Sequence, residues 1–371
     1  MNKCKLGKLL KVKHGFAFKS ENYVEKSEYA LVTLSNISST NDFQYNEEKT
    51  TYYGASFTSE FILKTGDLIM PLTEQVMGLF GNSAFVPYIK DTTFVLNQRV
   101  GKVLVDEEKA DKFFIHYLLS TDSVRNQLEY RASGTRQRNI SPEDVYDVEV
   151  FVPDLEEQRR IGKLLYALEQ RVYNNNCIND NLQQVIKSCF DFMFATRKPN
   201  GIISDILQEH PKSTIQVNDS TGILGDYPFF TSGEAINEWQ SALVDGMNCY
   251  LSTGGNATIK GYYGKAAYST DTWCVCGKGE YSFYLFCYLK SIIRSINDSF
   301  FAGSGLKHLQ KDSLLLVNLY IPSEKELEKF NSIVKPAMET MTTLFLETKK
   351  LKQQRDFLLP LLMNGQATIA E

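Results

Sequence analysis

Gly134-Thr-Arg-Gln-Arg-Asn-Ile140, followed by Val148-Glu-Val-Phe-Val-Pro153, returns later in the chain as Gly303-Ser-Gly-Leu-Lys-His-Leu309, followed by Val317-Asn-Leu-Tyr-Ile-Pro322. The offset is 169 residues throughout, without a gap. A second set, Gly66, Thr73, Gly81 and Asp91-Thr92, matches Gly246, Thr253, Gly261 and Asp271-Thr272 at a constant offset of 180, and Leu6 to Leu10 weakly matches Ile203 to Leu207. Two gap-free stretches in the same order, reconciled by one insertion, indicate an internal duplication with a period too long for a solenoid. In both copies an acidic cluster and an amphipathic segment follow the proline: Asp154-Leu-Glu-Glu157 and Glu324-Lys-Glu-Leu-Glu328. The chain therefore reads as globular (1–152), helix (153–198), globular (199–321) and helix (322–371).

The helical segments carry the clearest periodicity. Ile161, Leu165, Leu168 and Val172, then Leu182, Ile186, Cys189 and Met193, alternate in steps of four and three, the spacing that keeps one seam facing a partner helix. Asn175 and Asn179 fill the middle of that seam, where an amide pair costs stability but fixes register. The alternative is that Asn174-Asn-Asn176 breaks the helix. The second seam runs Phe330, Val334, Ala337, Met341, Leu344, Leu351, Leu358 and Leu362, with Thr348 and Arg355 on the same side. Pro336 lacks an amide hydrogen and is expected to open a long helix after a short first one. Long helices with one narrow apolar stripe want each other, so an antiparallel intramolecular coiled coil is expected. The globular parts are rich in Tyr, Phe, Val, Thr and Gly, with short runs such as Tyr29 to Thr33, Gly66 to Met70 and Asn248 to Ser252 bounded by turn signals. Each also holds one late helical stretch, Asp111 to Gln127 and Tyr281 to Ile296. The predicted fold class is α+β, two domains in tandem repeat with two long helices.

The 371 residues, 43% apolar and 23% charged, exclude a disordered or collagen-like chain and are enough for two domains. Seven scattered cysteines predict reduced thiols, and Cys274-Val-Cys276 lacks the spacing and partners of a zinc site. The lysine-rich start has no apolar core of a secretory leader, and Phe283 to Ile293 is too short to span a bilayer, so a cytoplasmic protein without membrane contact is expected. No phosphate loop, dinucleotide fingerprint or H-E-x-x-H pairing occurs, and His14, His116, His210 and His308 are far apart, so no catalytic residue, metal or cofactor is assigned. Pro153-Asp-Leu-Glu156 lacks the lysine of a nuclease motif, and its acids suit the first turn of a helix.

Binding residues are better represented. The net charge is −4, and the two globular parts are individually acidic, with 18 basic against 20 acidic and 8 against 11 side chains. Local clusters run the other way. Lys3, Lys5, Lys8, Lys11, Lys13 and Lys19 precede the first acid, Glu21, and Arg131, Arg136 and Arg138 share a loop with Gly134 and Asn139. Such clusters contact phosphates, while Arg, Asn and Gln pair with base edges. The loop of the second copy keeps Lys307 and His308, and the other aligned loops read Thr73-Glu-Gln75 and Thr253-Gly-Gly-Asn256. Equivalent loops with unlike polar side chains suit two readers of different sequences. Arg136, Arg138, Asn139, Lys307 and His308, then Thr73, Gln75, Thr253 and Asn256, are the candidate DNA contacts.

Pro153-Asp-Leu-Glu-Glu-Gln-Arg-Arg-Ile161 opening the first long helix, and Leu351 with Arg355-Asp-Phe-Leu-Leu-Pro-Leu-Leu-Met-Asn-Gly365 closing the second, resemble the specificity subunit of type I restriction-modification systems. The resemblance covers essentially the whole chain. The second copy departs from it, with Leu327 in place of Gln158 and Phe330 in place of Ile161. It implies a non-catalytic DNA reader: two target recognition domains, each for one half of a split asymmetric duplex site, with paired helices acting as a ruler. It also implies docking of two methyltransferase subunits, which carry the methyl donor, and of restriction (helicase-nuclease) subunits. Glu157, Gln158, Ile161, Arg355 and Asp356 fall in the matching motifs and are expected to contact a partner subunit. The rival expectations are an enzyme that modifies DNA by itself and an assembly tether that reads no sequence. Acidic recognition domains predict weak DNA binding alone and tight, salt-sensitive binding in a complex.

Overall fold

The computed structural model describes residues 1–303, 305 and 307–369; Ser304 and Leu306 of the second basic loop and the last two residues lie outside the described residues. The chain forms two compact units, Met1–Arg171 with Leu351–Glu371, and Val172–Lys350.

The first unit is built on a four-stranded antiparallel sheet in the order Leu10–His14, Val100–Val105, Leu68–Pro71, Ala84–Phe85. A second sheet runs Tyr23–Val24, Tyr52–Tyr53, Tyr29–Val32, Thr93–Leu96, its last pair parallel. Leu68 to Pro71 is buried at every position because both faces of that strand are covered, which is why it shows no polar alternation. The helices Lys112–Leu119 and Asp122–Arg131 lie against this frame, the first capped by the Asp111 carboxylate accepting the Phe114 amide at 2.9 Å.

The second unit repeats the first sheet strand for strand: Leu207–Glu209, Thr272–Gly277, Met247–Ser252 and Ile259–Tyr263 in the same antiparallel order. Its second sheet is one strand shorter, Ile236–Trp239, Tyr227–Phe230, Ala267–Tyr268, and again ends in a parallel pair. The helices Ser282–Ser291 and Ile293–Ser299 follow. In both units an outlying strand pair closes the domain, Asn2–Lys5 with Glu149–Val152 and Gly201–Ile202 with Asn318–Leu319. The aligned Gly66 and Gly246 have nearly the same φ, +83° and +82°, which only glycine adopts without strain, so the same turn feeds the same central strand in both copies.

The long helices span Leu155–Phe194 and Glu324–Met363, 40 residues each. The first runs through the break that was the alternative reading, and the second through the proline that was expected to open it. Asn174 to Asn176 does not break the first, and Pro336 lies inside the second rather than opening it. Pro336 is tolerated because it sits on the exposed side of the helix, where water can satisfy the carbonyl left without its amide partner. The first helix is started by Asp154, whose carboxylate accepts the Glu157 amide at 2.9 Å, and the second by reciprocal Ser323 and Glu326 bonds of a capping box.

Within each unit the helices pair antiparallel. In the first, Ile161 and Leu165 share a core with Leu358 and Leu362. In the second, Ile186, Phe190 and Phe194 pack with Phe330, Val334 and Ala337, while Arg197 reaches Glu326 at 3.0 Å. Asn175 is almost fully buried on this second seam, its amide donating to Glu347 Oε2 (3.0 Å) and Thr348 Oγ1 (3.3 Å). Register is thereby fixed by polar partners that a slip of one turn would lose.

Candidate nucleic-acid interface

In the first unit the two loops singled out from the repeat are neighbours. Thr73–Glu74 pairs antiparallel with Arg138–Asn139, in the register Thr73 to Asn139 and Glu74 to Arg138, and Thr73 Oγ1 donates to Asn139 Oδ1 at 2.9 Å. The arginine loop closes on itself through the Ser133 and Asn139 amides and carbonyls, at 2.8 and 3.0 Å. Gly134 makes that closure possible: its φ is +111°, and a Cβ there would sit 2.1 Å from the Gln137 carbonyl oxygen.

Glu74 is 1% exposed, and its two oxygens are held differently, Oε1 by an ion pair alone and Oε2 by two backbone amides. Oε1 lies 2.9 Å from the Arg138 guanidinium, and Oε2 accepts the amides of Leu79 (3.0 Å) and Phe80 (3.3 Å). Arg138 also donates to the Glu129 carbonyl and lies over the Phe80 ring. A buried carboxylate needs such partners, since its desolvation is otherwise prohibitive. Arg138 is therefore committed to holding the loop, whereas Arg136, Gln75 and Asn139 stand exposed.

The second unit brings the same loops together. Gly254 bridges His308, Leu309 donates its amide to the Thr253 carbonyl at 3.0 Å, and Gly255 donates to the Lys307 carbonyl at 3.0 Å. Thr253 Oγ1 is turned to the Asp271 carbonyl at 2.8 Å. Gly254 stands where the first unit has Glu74, so Lys307 has no counterpart of that carboxylate; Lys307, His308 and Asn256 are exposed. Both units thus present a polar loop pair at the equivalent place, with different side chains.

The lysine run near the N-terminus contributes less positive charge than its sequence suggests. Lys3, Lys5, Lys13 and Lys19 each face an acid, Glu149, Asp147, Glu60 and Glu21, at 2.8, 2.7, 3.1 and 3.8 Å. Among the described residues no three His, Cys, Asp or Glu side chains gather as metal ligands, and no helix is long and apolar enough to cross a membrane.

The family model described as the type I restriction modification DNA specificity domain matches residues 1–184. The chain belongs to this specificity family. The type I restriction enzyme MjaVIII specificity subunit of Methanocaldococcus jannaschii is 28% identical over 115 residues, 30% of this chain and 26% of the relative. The type I restriction enzyme EcoDI specificity subunit of Escherichia coli is 27% identical over 151 residues, 39% of this chain and 33% of the relative. The chain thus spans about a quarter to a third of the length of these curated relatives. In fold it is similar to the crystal structure of the type I restriction-modification S subunit from M. genitalium, with a TM-score of 0.68 at 16% identity, covering 98% of this chain and 96% of that one.

In this member of the specificity family, the helix-start residues expected to face a partner point inward instead. Gln158 is 1% exposed and staples the helix to the preceding loops, donating to the Pro153 carbonyl (3.0 Å) and accepting the Asp111 amide (3.2 Å). Ile161 is equally buried, and Glu157 is engaged by Arg160 (2.8 Å) and the Ile369 amide (3.1 Å). At the other end of the motif pair, Asp356 is exposed, while Arg355 reaches back to Asp356 (2.8 Å) and Glu169 (3.9 Å).

Glu169 itself was invisible as a special position in the sequence, one residue beyond the seam position Leu168. It is buried, accepts the Tyr117 hydroxyl at 2.7 Å and lies 3.6 Å from His116 Nε2; His116 in turn contacts Ser83 Oγ through Nδ1 at 2.8 Å. Burial pushes the Glu169 carboxyl up, but the neighbouring His116, the Tyr117 hydrogen bond and the charge of Arg355 outweigh it and hold it below the ordinary carboxylate range. This sealed network ties the domain helix Lys112–Leu119 to the long helix within the first unit, and it has no access for a substrate.

Proposed function

We propose that the chain is the non-catalytic reader of a bipartite, asymmetric duplex DNA site. Residues 1–152 and 199–321 act as recognition domains, each for one half-site, and 153–198 and 322–371 act as the spacer helices between them. The observation that carries this reading is the duplicated loop pair: Thr73 to Gln75 beside Arg136 to Asn139, and Thr253 to Asn256 beside Lys307 and His308, on matching frames with unlike side chains. Two copies of one frame with different polar tips suit two different base sequences.

Methyl transfer and cleavage then belong to partners, two methyltransferase subunits and the restriction subunits, in the cytoplasm. The surface left for a partner on the closing motif includes Asp356 and the exposed Phe357. The acidic totals of both globular parts support weak binding by the chain alone and tighter binding in the complex. The deciding experiment is methylome sequencing of a host with and without this gene. A gain of adenine methylation at one split motif is expected, whereas transfer of a labelled methyl group to DNA by the isolated chain would sink the reading.

A further inference from the structure

The loop that follows Glu74 has a feature the polar contacts do not use. Val76 and Met77 are 80% and 72% exposed, adjacent to each other and outside every core cluster. Single exposed apolar side chains are ordinary on a protein surface. These two differ in how they are held. The Glu74 carboxylate closes the loop at its root by accepting the Leu79 and Phe80 amides, and the partly buried Arg138 locks that carboxylate in place. Gly78, at φ +99°, completes the reversal. The loop tip Gln75-Val76-Met77 is therefore projected by an ion pair whose carboxylate is buried. It follows directly on the strand Thr73–Glu74, which pairs with Arg138–Asn139 of the arginine loop.

An apolar pair beside an amide has a counterpart on the base edges of duplex DNA. The thymine 5-methyl is the apolar group on the major-groove edge of a base pair, and glutamine is suited to the N6 and N7 of adenine beside it. We infer that Gln75, Val76 and Met77 read A·T pairs in the half-site of the first unit, with Gln75 on adenine and Val76 and Met77 packed on thymine methyl groups. The inference rests on the DNA-reading function proposed above and adds the base type. The aligned loop of the second unit, Thr253-Gly-Gly-Asn256, has no apolar tip, so methyl reading through this loop is confined to one half-site.

The test uses the full chain with its methyltransferase subunits. Binding sequences are selected from random duplexes, and the half-site whose recognition changes in Arg136→Ala is assigned to the first unit. Each thymine of that half-site is then replaced by deoxyuridine, which removes only the 5-methyl. At one or two positions affinity should fall about fourfold, the worth of one buried methyl. Val76→Ala with Met77→Ala should abolish the difference between thymine and uracil, and exposed loop side chains leave folding untouched. If no sequence is selected at all, the DNA-reading function fails. If a sequence is selected but the half-site lacks thymine, tolerates uracil at every position, or keeps its uracil penalty in the double variant, DNA reading stands and this inference is overturned. A 2-aminopurine signal of base unstacking without a uracil effect likewise overturns it, marking the loop as a wedge rather than a methyl reader.

Discussion

The Arg138 guanidinium lies 2.9 Å from the carboxylate of Glu74, which is buried, and that single pair separates two arginines that look alike in sequence. Arg138 builds the loop, and Arg136, two residues earlier, is free to leave it. Removing one partner of a buried ion pair strands the other, at a cost of about 3 kcal/mol. Arg138→Ala and Glu74→Ala should each destabilise the first unit by that order, and Arg138→Met with Glu74→Leu should recover most of it. Hydrogen exchange at the Leu79 and Phe80 amides gives a local readout: protection should collapse in the single variants.

Arg136→Ala should act on binding, not on folding. Affinity for one half-site should fall while the preference at the other half is retained, and the dependence of log affinity on log salt should flatten by about one if the lost contact is a phosphate. Lys307→Ala should do the same for the other half-site. Competition binding against duplexes altered in one half at a time distinguishes the two. A uniform loss at both halves would count against the assignment of one unit to each half.

Glu169 makes acid stability predictable in sign. Its folded-state carboxyl is held below its ordinary value of 4.5, so the stabilisation is present above that value and is lost as pH falls through the depressed one. Glu169→Gln should lower stability near neutrality, where the network with Tyr117 and Arg355 is broken, and should flatten the acid limb below about pH 4.5. Urea unfolding between pH 3 and 7, wild type against variant, measures both. A variant whose acid limb matches the wild type would remove Glu169 from that account.

Asn175 tests what the helix seam is selected for. Its Nδ2 is satisfied by Glu347 and Thr348, but its Oδ1 is buried without a hydrogen-bond partner. A stranded buried acceptor costs about 1 kcal/mol or more, so Asn175→Leu should raise the melting temperature. The same substitution should loosen the register of the pair, seen as broader exchange kinetics along residues 172–194 or as added oligomers in light scattering. Higher stability with unchanged register would leave the amide without a specifying role.

The duplication was readable from the chain alone because it is a statement about order. Gly66 and Gly246 occupy the same left-handed turn, and Pro153 and Pro322 end the same strand-to-helix passage, so spacing carried the information. The helix starts were equally legible, since Asp154 and the Ser323 to Glu326 box satisfy amides within one turn of themselves. So was the first helix, with Asn175 on its seam, but the interior of the second was not. Pro336 argues locally for a break, and continuous packing of the apolar stripe overrode it at a position where the proline is exposed, while the buried Asn175 is held in the seam by Glu347 and Thr348.

Side-chain roles divided along the same line. The loops at Thr73, Arg136, Thr253 and Lys307 were singled out by alignment of the two copies, and the structure sets them side by side within each unit. Which side chains remain available was decided only by partners distant in sequence: Glu74 takes Arg138, Asp111 and Pro153 take Gln158, and Tyr117 and His116 surround Glu169. Periodicity, capping and turn chemistry act over a few residues and are written into the chain. Burial of a charge or an amide depends on what other segments bring to it, and no local pattern encodes that.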